Sequence, residues 1–155
     1  MPDLMSDSEK REALEKINGY YGSELTTDYM LLRKKEKDGM KIFIYSGSEL
    51  PKLPAEWVGL HLATINNEGV SLSIEGAQLV GKTASRNVVE ITRAQAEDLM
   101  KGLDLGYDGE LRGNVIVRTP TAIVGVCKAD EGKITNTLPK SRRTVRYRKG
   151  GDEAD

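Results

Sequence analysis

The residues best able to do chemistry in this 155-residue chain crowd toward its C-terminal end. In TLPKSRRTVRYRKGG, Lys140, Arg142, Arg143, Arg146, Arg148 and Lys149 place six positive charges in ten residues with no acid among them. Residues 1 to 139 hold 17 Lys and Arg against 21 Asp and Glu, and residues 150 to 155 hold none against three. The formal net charge of −1 therefore hides a strongly basic segment in an otherwise acidic chain. Clustered guanidinium groups match phosphate oxygens in charge and in fork geometry, so the segment is a candidate polyanion contact. A solvated, frayed tail is the competing reading of the same charges.

Other chemistries lack residues. His61, the one histidine, sits in the apolar run WVGLHLATI, where a packed or hydrogen-bonded ring fits better than a general base. Cys127 alternates within AIVGVCKAD and reads as a small core hydrophobe. A single cysteine forms no internal disulfide and, with His61 alone beside it, builds no zinc site. Gly102, Gly106, Gly109 and Gly113 are closely spaced, but they follow a helix-like segment rather than a strand, so they read as turns and not as a phosphate cradle. No catalytic residue, metal ligand or cofactor is expected. With 38% hydrophobic and 30% charged residues and a mean hydropathy of −0.47, the composition is that of a soluble globular protein of one domain or two small units. No apolar run approaches a membrane span, and MPDLMSDSEKREALEK lacks the layout of a signal peptide, which predicts a cytoplasmic location.

These residues need elements to hold them. Ser6 and Glu9 have capping-box spacing, and Ala13, Leu14 and Ile17 follow at helical intervals, predicting a helix over 6–18 that Gly19 stops. YMLLRKK and MKIFIYSG flank EKDG, predicting a hairpin over 29–46 that turns at Asp38 and Gly39. The prolines at 51 and 54 mark a linker. Beyond it, GLHLATI, VSLSIEG, NVVEI, GNVIVRT, AIVGVCK and KITNTL read as short strands. One helix interrupts them, started by Thr92 and Gln95 and ended by Gly102. Six strands and one helix cannot supply the crossovers of a doubly wound parallel sheet, so a small, mostly antiparallel barrel or sandwich is expected.

The second half resembles a family. GLHLATI from Gly59, the helix-preceded barrel and VGVCKADEGKITNTLPKSRR resemble the RNA-binding PUA-like domain at the C-terminus of Fmu/Sun-type ribosomal RNA cytosine-5 methyltransferases, over about residues 57–146. Its most specific part is Gly125, Lys128, Gly132, Lys133, Asn136, Pro139 and Lys140. Ala63 and Cys127 depart from it, standing where the family pattern has glycines. The chain shows no Gly-rich methionine-cofactor loop and no Pro-Cys pair, and Cys127 lies inside the PUA-like part, so the nucleophile of those enzymes does not carry over. The N-terminal helix and hairpin are similar to the small pre-PUA unit of several RNA-modification proteins.

The resemblance implies an α+β fold, with a pre-PUA-like unit over 1–50, a PUA-like barrel with its basic segment over 51–149, and an acidic tail over 150–155. It implies a stand-alone, archaeal-type protein without a methyltransferase domain. Such a protein would bind structured ribosomal or transfer RNA without catalysis, in RNA modification or ribosome biogenesis. An alternative is a protein-interaction or specificity subunit acting in trans on a partner RNA methyltransferase or other modification enzyme. On the RNA reading, Gly125 and Gly132 admit close backbone approach, Lys128 and Lys133 flank them, and Asn136 reaches a base edge or a 2′-hydroxyl. Lys140, Arg142, Arg143, Arg146 and Arg148 clamp phosphates, and Tyr147 stacks on an unpaired base. Each has a plainer reading: a bulge and a turn for the glycines, hairpin-surface lysines, and a turn cap for Asn136.

Overall fold

The computed structural model describes residues 2–45, 59–139, 148–149 and 152–153. The linker expected at 51–54 lies outside the described residues, as do Lys140, Arg142, Arg143, Arg146 and Tyr147. The chain divides into two compact units, Met1–Val88 and Val89–Asp155.

In the first unit, β1 (Asp3–Leu4), β2 (Met30–Glu36), β3 (Gly39–Tyr45), β4 (Leu60–Asn66) and β5 (Gly69–Leu72) form one antiparallel sheet in that order. The sheet thus continues through Leu72, past the boundary expected at residue 50. Helix α1 (Asp7–Tyr21) starts at the Ser6 capping box and buries Ala13, Ile17 and Tyr21, one residue per turn. It runs through Gly19, where a stop was expected. The termination falls instead at Gly22, whose left-handed backbone (φ 59°) closes the helix with an N–H donated to Asn18 O. A side chain at Gly22 would press on the Ser85 hydroxyl and the Arg86 backbone, and the left-handed conformation itself favours glycine there. Tyr21 anchors the C-terminal turn: its hydroxyl donates to Val70 O at 2.6 Å, and burial pushes its pKa well above the ordinary tyrosine value.

The hairpin pairs Met30 with Tyr45 through to Glu36 with Gly39, leaving Lys37 and Asp38 as a two-residue loop. Helix α2 (Ile74–Val80) corrects the expectation of a single helix beyond the linker. VSLS alternates as a strand does, but the Ser73 hydroxyl accepts from Gly76 N at 2.9 Å and starts a helix. Gly76 lies so close to Leu62 O that a Cβ has no room, which seats α2 on β4. Arg86 donates from its guanidinium to Gly19 O at 2.6 Å, tying the end of this unit back to α1.

In the second unit, β6 (Val88–Glu90), β7 (Leu105–Gly106), β8 (Gly113–Arg118), β9 (Ile123–Asp130) and β10 (Lys133–Thr135) form a sheet of order β6-β8-β9-β10-β7, with α3 (Arg93–Met100) between β6 and β7. Val115, Ile116 and Val117 are all fully buried, so β8 is covered on both faces. Cys127, Ile134, Leu138 and Leu99 complete that core. The Thr92 and Gln95 capping box starts α3 as the spacing predicts. A short ladder of β11 (Arg148–Lys149) with β12 (Asp152–Glu153) sets the last basic residues in register with the acidic end. The fold class is α+β, with three helices, two five-stranded and mostly antiparallel sheets and the short terminal ladder among the described residues, as expected for a PUA-like barrel preceded by a helix and hairpin.

Candidate nucleic-acid interface

The candidate interface lies on the β8-β9-β10 part of the second unit. Cross-strand register places Lys128 of β9 beside Asn114 of β8 and Thr135 of β10, making one polar row over three strands. Arg112 and Gly113 at the start of β8, with Lys128, Asp130 and Thr135, line a cavity of about 390 Å³. The row has outward-pointing chemistry because its neighbours in sequence, Cys127 and Ala129, turn into the core. Arg112 Nε lies 3.7 Å from Asp130 Oδ1, and Lys133 Nζ lies 3.8 Å from Asp104 Oδ2. All four side chains are well exposed, so each pair is worth under about 1 kcal/mol and yields readily to a phosphate.

The structure gathers some of the expected site residues and separates others. Lys128 and Lys133 are exposed on the β9-β10 hairpin, and Gly132 makes its turn with φ 77°. Gly125 is buried instead. It pairs with Val117 while Ile123 pairs with Arg118, so Val124 is the extra residue of a β-bulge, and φ 155° at Gly125 accommodates it. Asn136 spends its amide inside the unit. Its Nδ2 donates to Leu99 O at 2.8 Å and to Leu103 O at 3.0 Å, and its Oδ1 accepts from Leu138 N at 3.0 Å. Its backbone N–H donates to Asp104 Oδ1 at 2.8 Å. One side chain thus fastens the exit of α3 to the end of β10. The backbone of Arg148 lies in β11, and the other tail residues named above fall outside the described ones.

Arg112, Asp130 and Thr135 were not singled out by sequence reasoning. The available signal was weak: Arg112 stands among the glycines read as turns, and Thr135 alternates with the apolar Ile134 in a three-residue strand. Cys127 is buried, and that burial pushes its thiol above the ordinary value, with the charge of Asp104 adding to the shift against a hydrogen bond from the Thr137 backbone. In the first unit, burial chiefly holds His61 below the usual histidine value, assisted by Lys41. Its Nε2 lies 3.3 Å from Thr64 Oγ1 and its ring leans on Phe43. Among the described residues no group of three or more His, Cys, Asp or Glu side chains is arranged to hold a metal ion, and no helix is long and apolar enough to cross a membrane.

Comparison with known proteins places this site in context. Residues 86–144 match the family described as the methyltransferase RsmF PUA domain. The matched stretch holds the whole cavity lining, Lys133, Asn136 and the first three basic residues of the tail, Lys140, Arg142 and Arg143. The chain is also 32% identical over 90 residues to the ribosomal RNA small subunit methyltransferase F of Aeromonas salmonicida. That alignment covers 57% of this chain and 19% of the relative, so the chain spans about a fifth of the length of the curated relative it matches. The expected resemblance to the PUA-like domain of ribosomal RNA methyltransferases therefore stands, over the PUA region.

Proposed function

We propose that this protein binds structured RNA, ribosomal or transfer, without catalysing a reaction on it, and that it serves RNA modification or ribosome biogenesis. The observation that carries the reading is the PUA-domain match over residues 86–144, because that stretch contains both the cavity and the start of the basic segment. Arg112 offers a planar fork that a phosphate accepts bidentately, Lys128 adds a compact charge, and the Thr135 hydroxyl donates to a phosphate or to a ribose 2′-hydroxyl. Lys133 extends the contact along the hairpin. Lys140, Arg142, Arg143, Arg146 and Arg148 supply most of the attraction, and Tyr147 stacks on an unpaired base. Asn136 positions the contact surface by holding α3 to β10 and does not itself read a base.

The test is a binding titration over a salt series, comparing the full chain with a version ending at Pro139, against folded transfer RNA, a ribosomal RNA helix and a matched DNA duplex. Preference for RNA, with a slope of log K against log salt that flattens by about 4 to 5 on truncation, is the expected result if all six tail charges meet phosphates. Equal weak binding to RNA and DNA, indifferent to the tail, would sink the proposal.

A further inference from the structure

A second group of side chains suited to phosphate lies in the first unit, in residues the PUA-domain match does not reach. The hairpin over 30–45 carries five Lys and Arg against two acids, within a chain that is otherwise acidic up to residue 139. Register places these charges. Lys34 of β2 lies directly opposite Lys41 of β3, Lys41 opposite Thr64 of β4, and Thr64 opposite Ser71 of β5. Two ammonium groups and two hydroxyls therefore stand in a single row over four strands, about 14 Å long at the usual strand spacing. Arg33, next to Lys34 in sequence, points to the other face, where it pairs with Glu9 of α1 at 2.8 Å. The row thus occupies the face turned away from α1.

Along that face the row begins where an apolar cluster ends, since Leu32 and Phe43, two pairs further along the hairpin and so on the same face, are buried and packed with Tyr45. At its other side the hairpin loop, Thr64 and Asn66 border a cavity of about 270 Å³. Like charges directly opposite one another on adjacent strands work against the sheet. The nearest relief for Lys41 is Glu36 at 3.6 Å, an ion pair in which both side chains are more than a third exposed and screened by water. A phosphate backbone laid across the row would meet both ammonium groups and the Ser71 hydroxyl, with Thr64 Oγ1, 3.3 Å from His61 Nε2, between them.

We infer that Lys34, Lys41, Thr64 and Ser71 form a second rail for the RNA backbone, separate from the Arg112 and Lys128 cavity. The inference rests on the reading that the chain binds RNA, and its test separates the two. The full-length protein, K34Q/K41Q, K34R/K41R and R112Q/K128Q are titrated over a salt series with an RNA hairpin bearing a single-stranded extension. K34Q/K41Q is expected to lower the slope of log K against log salt by about 1.5, the value for two lost phosphate contacts, while K34R/K41R keeps the original slope. An unchanged slope in K34Q/K41Q beside a reduced one in R112Q/K128Q overturns the rail and leaves RNA binding standing. A full-length protein that binds this RNA no better than the matched DNA overturns both. Loss of slope in K34R/K41R also overturns the rail, because charge is conserved in that variant. A melting midpoint of K34Q/K41Q close to that of the full-length protein separates lost contact from lost fold.

Discussion

The two sheets carry positive charge in different ways. In the first, the basic residues belong to the hairpin itself, five against two acids over residues 30–45, and two of them face each other on adjacent strands. In the second, residues 104–133 hold four basic against five acidic side chains, and Arg112, Arg118 and Lys133 each stand beside a carboxylate. The sheet inside the family match is therefore close to locally neutral, and the surplus positive charge lies in the segment that follows it. A rigid, balanced surface defines where contacts can form, whereas an unbalanced one supplies long-range attraction. In this molecule the two roles fall on different stretches of sequence.

Removal of residues 140–155 should produce the largest effect on that contrast, a fall in salt slope of about 4 to 5, because it strips the second unit of its surplus charge. Next comes Asn136→Ala, which removes the amide donor to the carbonyls of Leu99 and Leu103, the former keeping the Gly102 N–H, and the acceptor of the Leu138 N–H. A cost of about 2 kcal/mol is expected, or roughly 10 °C in melting midpoint for a unit of this size. Differential scanning calorimetry reads the loss of stability, and binding at low temperature should stay near the original. Lost RNA affinity with an unchanged midpoint would return Asn136 to base reading.

The two capping boxes allow a matched comparison. Ser6→Ala and Thr92→Ala each remove a hydroxyl that accepts an N–H at 3.1 Å, and each should cost about 1 kcal/mol. Hydrogen exchange should report the first in peptides of Met1–Val88 and the second in those of Val89–Asp155. A change spread over both units would show that they unfold together.

The smallest effect is pH dependence, and it should belong to one unit only. His61 is the one histidine, and burial lowers its pKa in the folded state. The unfolded chain then binds more protons, so stability is complete above about pH 6.5 and declines as pH falls below that value. Exchange protection in β4 should drop between pH 7.5 and 5 while that in β9 stays flat, and His61→Gln should abolish the difference.

Local chemistry made much of this legible in the sequence. Both capping boxes and the hairpin turn depend on residues three or four apart; the capping boxes appear where their spacing predicts, and the turn falls at Lys37 and Asp38, one residue before the expected Asp38 and Gly39. Features set by distant partners did not show. Gly19 has the composition of a stop, yet the burial of Tyr21 against β5 carries α1 past it. Ser73 looks like one more alternating strand residue until Leu62 provides a backbone for α2 to pack on. Asn136 is visible as part of a motif, but the carbonyls that claim its amide lie 33 and 37 residues away. Arg112 joins the cavity only because β8 and β9 pair in the register that brings it beside Asp130.

The buried thiol of Cys127 has a practical consequence. With the chain's one cysteine fully covered and held in its protonated form, thiol-directed reagents have little purchase on the folded protein. A cysteine introduced at Lys34 or Lys133 would then be the one reactive handle, so a fluorophore can be set on either sheet without first mutating the core. Each surface could be made to report its own encounter with a ligand.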